Sequence, residues 1–159
     1  MSLRDRLQSD IAVAIRGGDS LRRDTLRMAA SAAYNVEKHN GHPLTEDEFL
    51  VVLSREVKTR RESVEAFRAG GREDLATREE AEIAILSEYL PQALTEAEIG
   101  GLIRDAIAAT GAASARDMGK VMGWLAPRTR GRADGKRVSE LVVQALASAD
   151  LAAHDGGTH

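Results

Sequence analysis

Apolar residues recur along this chain every three to four positions, and no stretch alternates apolar with polar residues for long. A period near 3.6 is the signature of amphipathic helices, so the pattern predicts about seven helices and no sheet. The first carries Leu3, Leu7, Ile11 and Ile15 on one face, with Ser2 as N-cap and Gly17-Gly18 as its end. A second runs from Asp19 or Ser20 to about Lys38 on Leu26, Ala29, Ala30 and Ala33, whose small side chains admit a close neighbour. After the turn at His39-Asn40-Gly41-His42-Pro43, Thr45 and Glu48 form a capping box for a third helix reaching about Ala69. Its stripe is Phe49, Val52, Leu53, Val57, Val64 and Phe67, interrupted by the polar run Lys58 to Ser63, which predicts a half-exposed middle. A fourth helix covers Glu73 to Tyr89 and stops at Pro91.

Beyond Pro91 the elements shorten. Thr95 and Glu98 form another capping box before Ile99, Leu102, Ile103, Ala106 and Ile107, and Gly111 ends that helix. Ser114 and Asp117 cap a sixth, with Met118, Val121, Met122 and Leu125 on one face and Pro127 beyond it. Asp134 caps a seventh, with Val138, Leu141, Val142, Ala145 and Leu146 facing inward. The expected architecture is all-α in two parts: a four-helix part over 1–92, a three-helix part over 95–150, and a fraying tail over 151–159.

Composition narrows the class. Of 159 residues, 43% are hydrophobic and 30% charged, the balance of a globular chain, with aromatics at 3%. The absence of cysteine excludes disulfides, thiolate metal sites and thiol nucleophiles. No apolar run approaches the ~20 residues of a membrane span. Met1-Ser2-Leu3-Arg4-Asp5 reads directly into a charged helix, so no signal peptide is expected. These features lead to the expectation of a cytoplasmic protein with no membrane partner.

Charge is unevenly distributed. The whole chain carries −3, yet residues 116–137 hold seven bases (Arg116, Lys120, Arg128, Arg130, Arg132, Lys136, Arg137) against two acids. Bases in the first turn of a helix oppose its dipole, and Lys136 before Glu140 is the weaker orientation of an i,i+4 pair. Local stability therefore does not explain them, whereas an anion docked on the helix N-terminus would, with RNA phosphate the obvious class. Solvated surface charge is the plainer alternative. The run Lys58-Thr59-Arg60-Arg61 is answered by Glu56, Glu62 and Glu65 and reads as an ion-paired solvent face. Gly119, Gly123, Gly131 and Gly135 are too irregularly spaced for a nucleotide loop. For Gly119 and Gly123, close helix packing is the structural reading and close approach of an RNA backbone the functional one.

No catalytic residue is identified. There is no G-x-S-x-G elbow and no Ser-Ser pair in a glycine-rich setting. His39 and His42 fall in a turn, without the spacing of a helical zinc site, so no metal and no cofactor is expected. Glu79, Glu80 and Glu82 read as structural surface charge.

Several strings carry a resemblance: Thr25-Leu26-Arg27-Met28, Val57 to Ser63, Gly71-Arg72-Glu73-Asp74-Leu75-Ala76, Glu79, Glu82-Ile83, Tyr89-Leu90-Pro91, Asp117-Met118-Gly119-Lys120-Val121-Met122-Gly123 and Gly131-Arg132-Ala133-Asp134-Gly135-Lys136. Together they resemble the YqeY-like (GatB/YqeY) family over about residues 3–148. That family is similar to the C-terminal tail of the B subunit of the tRNA-dependent Glu/Asp amidotransferase, in which the tail helps hold tRNA. The resemblance implies an all-α fold and a link to a carbon–nitrogen ligase that uses glutamine as amide donor. The portions that carry that catalysis have no counterpart here.

The sequence thus leads to a non-catalytic tRNA-binding or translation-associated module. Lys120, Arg128, Arg130, Arg132, Lys136 and Arg137 would meet the RNA backbone, and Gly119, Gly123, Gly131 and Gly135 would permit close approach. Amidotransferase or other translation proteins are candidate partners, and DNA is not expected. About five phosphate contacts would give a log–log salt slope near −3 to −4. A protein-interaction adaptor with a basic loop, or an accessory component of the ligase, is the alternative.

Overall fold

Positive-φ glycines at positions 18, 41, 71 and 111 end four of the helices or their turns, as the sequence spacing predicts. The structure is a computed structural model that describes the backbone of residues 1–155 and the side chains of residues 1–152. Among the described residues there are seven α-helices, one 3₁₀ turn and no strand: α1 Leu3–Gly17, α2 Ser20–Asn40, α3 Glu46–Ala69, α4 Glu73–Ser87, α5 Glu96–Thr110, the 3₁₀ turn Ala115–Asp117, α6 Met118–Thr129 and α7 Gly135–Asp155. The all-α expectation is met. None of these helices is long and apolar enough to cross a membrane. Of the tail anticipated over 151–159, residues 151–155 continue α7 and the remainder lies outside the described residues.

The chain divides into two units, Met1–Pro91 and a second from Gln92 onward. In the first, α1 to α4 enclose Leu7, Leu26, Leu53 and Leu86, each no more than 1% exposed, with Phe49, Val57 and Tyr89 around them. Burying each leucine contributes about 1.5–3 kcal/mol. Ile15, expected inward, is half exposed, and Ala14 is buried in its place. Each four-residue step advances 40° past a full turn, so by the third step after Leu3 the stripe has rotated out of the core. The capping box at Thr45 and Glu48 forms as predicted, at 3.2 and 3.1 Å.

The end of α4 is held from two sides. Arg22 grips Glu88 through its two terminal guanidinium nitrogens at 2.9 and 3.0 Å, and Arg6 donates to the Glu88 carbonyl at 3.2 Å. The Arg6 guanidinium also lies 4.5 Å from the Tyr89 ring centre, and the Tyr89 hydroxyl donates to Asp10. Cations at a helix C-terminus complement its dipole.

In the second unit α5, α6 and α7 bury Ile103, Ala106, Val121, Leu125, Val138, Val142 and Leu146. The capping box at Thr95 and Glu98 is present. Ser114 and Asp117 form another, on the 3₁₀ turn that leads into α6. Asp117 accepts from the backbone N–H of Ala113 at 2.9 Å, which holds its carboxyl below the usual carboxylate range.

Candidate nucleic-acid interface

At 100° per residue, Gly119, Lys120, Gly123 and Pro127 share one side of α6, opposite Val121, Leu125 and Thr129. The first four are exposed and the last three buried. Neither glycine has a positive φ, and a Cβ added at either meets no atom within 4 Å. The close-packing reading of these two glycines is therefore removed: they lie on an open face. Glycine in a helix interior costs up to about 1 kcal/mol relative to alanine, and here no packing gain offsets it.

Pro127 lies within α6 and not beyond its end. Lacking an N–H, it brings no donor to the carbonyl of Gly123 four residues earlier. The last turn still closes, because the Thr129 hydroxyl donates to the Leu125 carbonyl and the Arg130 N–H to the Ala126 carbonyl, both at 3.1 Å. At the edge of the open face, the Arg128 guanidinium lies over the Trp124 ring at 3.6 Å from its centre. Its Nη1 donates to the Trp124 carbonyl at 2.6 Å. Sequence reading missed this pair, although an aromatic residue and an arginine four apart on a helix are the signal for it.

The six candidate bases divide in two. Lys120 is 69% exposed, with its Nζ 3.8 Å from Asp117, a contact of small energetic weight. Arg128, Arg130 and Lys136 are exposed as well. Arg132 is half-buried and serves the fold: its Nε donates to the Gln92 carbonyl at 3.1 Å, and its own carbonyl accepts from the Leu94 N–H at 2.8 Å. Arg137 is held by Glu96 at 2.7 Å and Glu140 at 3.2 Å, and those hydrogen bonds raise its pKa further above the ordinary arginine value. Glu140 is thus occupied by Arg137, not by Lys136. Gly131 has φ +75°, so the turn between α6 and α7 accounts for it. Gly135 opens α7 with no atom within reach of an added Cβ.

The first unit holds a different arrangement. Arg60, expected on a solvent face, is buried. It lies three residues after Val57 and four before Val64, which places it in the apolar stripe of α3. Its Nε donates to Glu82 on α4 at 3.0 Å, its Nη1 to Glu56 at 2.8 Å, and its Nη2 reaches the Met28 sulfur on α2 at 3.9 Å. Burial opposes its charge, but the two carboxylates more than offset this and its pKa is raised. Glu82, expected as surface charge, is buried with it. Burial, with the Glu82 charge beside it, raises the Glu79 carboxyl. Arg60, Glu56 and Glu82 thus form one ion cluster between α3 and α4, touched from α2 by the Met28 sulfur. Among the described residues no group of three His, Asp or Glu side chains could hold a metal ion.

These helices define an all-helical protein of two small units, one bearing a basic, glycine-lined helix face. A family model for Yqey-like proteins matches residues 4–146, and the chain belongs to that family. It is 30% identical over 145 residues to "Altered inheritance of mitochondria protein 41, mitochondrial" of Pyrenophora tritici-repentis, covering 89% of this chain and 79% of that protein. The protein of the same name from Lachancea thermotolerans is 28% identical over 145 residues, covering 87% and 78%. An uncharacterized protein of Schizosaccharomyces pombe is 34% identical over 68 residues, 43% of this chain and 55% of its own. The first two relatives are named mitochondrial, which overturns the cytoplasmic expectation. That expectation rested on absent cysteines and a charged N-terminus, and neither feature separates one compartment from another.

Proposed function

We propose that the protein is a non-catalytic tRNA-binding module associated with translation, and that its second unit carries the contact. The observation that supports this reading most is the outward face of α6. Two glycines there lower the stability of the helix without any packing role, beside Lys120 and Arg128. A face without side-chain bulk and with cations at its edge suits a phosphate backbone, which is recognised by charge and close approach. Lys136 adds a base at the start of α7. Because Arg132 and Arg137 are engaged within the fold, about three phosphate contacts are expected in place of five, and the log–log salt slope becomes about −2 to −3. The relatives' names support a mitochondrial tRNA pool as the first place to look for the ligand. Amidotransferase or other translation proteins are the partner class we infer from the family.

The test is a salt titration of binding to total tRNA, with duplex DNA as competitor. It compares the intact chain with a Lys120→Glu/Arg128→Glu/Lys136→Glu variant. Preference for tRNA in the intact chain, with loss of affinity and slope in the variant, is the expected result. Absence of tRNA binding at low salt would refute the reading and turn the search to an acidic protein partner.

A further inference from the structure

The Trp124–Arg128 pair carries more than charge. The indole is the chain's single tryptophan, half-buried against the core of the second unit. The Arg128 guanidinium covers it at 3.6 Å, and the hydrogen bond to the Trp124 carbonyl holds the plane in place. Arg128 is exposed and pairs with no carboxylate among the described residues. One face of the guanidinium therefore lies on the ring while its side chain remains open to solvent. A planar cation prepared in this way is a stacking surface for another planar π-system. On the neighbouring open face of the same helix lie Gly123, with no bulk above it, and Gly119 one turn earlier. Lys120, one turn before Trp124, supplies a cation on the same helix.

We propose that Trp124 and Arg128 form a stacking platform for an unpaired nucleobase, with Lys120 taking an adjoining phosphate. The proposal rests on the tRNA-binding reading and deepens it: the ligand is single-stranded RNA, such as a loop or an end, and not the helical stem alone. Stacking on aromatic rings and guanidinium planes is the usual means by which proteins hold splayed-out bases.

The experiment uses the full chain and two readouts: intrinsic Trp124 fluorescence and anisotropy of a labelled oligoadenylate octamer. Competitors are an unlabelled oligoadenylate octamer, an oligouridylate octamer, and a base-free inorganic polyphosphate of matched charge. Oligoadenylate is expected to quench Trp124 and to compete about tenfold better than polyphosphate, with oligouridylate in between, since purines stack more extensively. Arg128→Lys keeps the charge and loses the plane. It should lower the affinity for oligoadenylate about tenfold while leaving polyphosphate binding within a factor of two. Trp124→Leu should do the same, and because it alters a half-buried residue, Arg128→Lys is the decisive variant. If tRNA binds with the expected salt slope but oligoadenylate and polyphosphate compete equally and Arg128→Lys changes neither, the platform is refuted and phosphate binding stands. If neither tRNA nor oligoadenylate binds at low salt, both readings fall.

Discussion

Gly123→Ala tests the central structural argument in a single substitution. Gly123 lies in the interior of α6, its φ is not positive, and an added Cβ meets no atom within 4 Å. Neither strain nor collision therefore opposes alanine, and the full difference in helix propensity, about 1 kcal/mol, should appear as added stability. For a chain of 159 residues unfolding as a whole that corresponds to an increase of about 2–4 °C in Tm, and for the second unit unfolding by itself to about 4–8 °C. Gly119→Ala, closer to the helix start, should add less. The assay is thermal and urea unfolding of the whole chain followed by tryptophan fluorescence, which reports on α6 because Trp124 is the chain's single tryptophan. The same variant should bind total tRNA more weakly, because the methyl group stands where the backbone is to dock. A lowered Tm would refute the open-face geometry. A raised Tm with unchanged tRNA affinity would refute the link between these glycines and binding.

Other outcomes follow from the first unit and from the caps. Arg60→Met leaves Glu56 and Glu82 without their buried partner and should cost about 3–5 kcal/mol in urea unfolding followed by circular dichroism, whereas pairing it with Glu82→Leu should restore much of the loss. Thr25 is fully buried and its hydroxyl has no hydrogen-bond partner among the described residues, so Thr25→Val should raise stability by about 1 kcal/mol in the same assay. The Asp117 carboxyl is depressed by its backbone donors, so its contribution is present above the unfolded aspartate pKa of about 3.9 and lost as pH falls through the lower folded value. Asp117→Asn should accordingly flatten the acid limb of the stability profile of the second unit below about pH 4, read from Trp124 fluorescence. Glu79 has the opposite sign: its raised folded pKa means that stability falls as pH rises from the unfolded glutamate pKa toward that value, and Glu79→Gln should remove this dependence.

Much of the fold was legible in the residues because it is written in local signals. Thr45 with Glu48 and Thr95 with Glu98 announce helix starts by a spacing that only a helix satisfies, and both boxes form. The glycine stops behaved likewise. What failed was the inference from polarity to exposure. Lys58 to Ser63 is a run of polar residues, yet a helix turns each successive side chain by 100°, so Arg60 re-enters the core between Val57 and Val64 while Thr59 and Arg61 stay out. Glu82 is buried for the complementary reason: it faces Arg60 from α4. At the candidate interface the sequence marks where bases are dense but not which are already engaged. Arg137 and Arg132 find partners at Glu96 and Gln92, some forty residues away in the chain, and nothing local foretells such pairings.

The Arg60 cluster also bears on how this sequence can drift. One guanidinium touches α2 through Met28, its own helix through Glu56 and α4 through Glu82. Residues that share a partner have effects that do not add, so a substitution at Glu82 that is ruinous beside arginine becomes harmless once position 60 is apolar. The three helices are tied into a historical contingency. Positions 28, 56, 60 and 82 should be found exchanged as a set among descendants of this chain, and seldom one at a time.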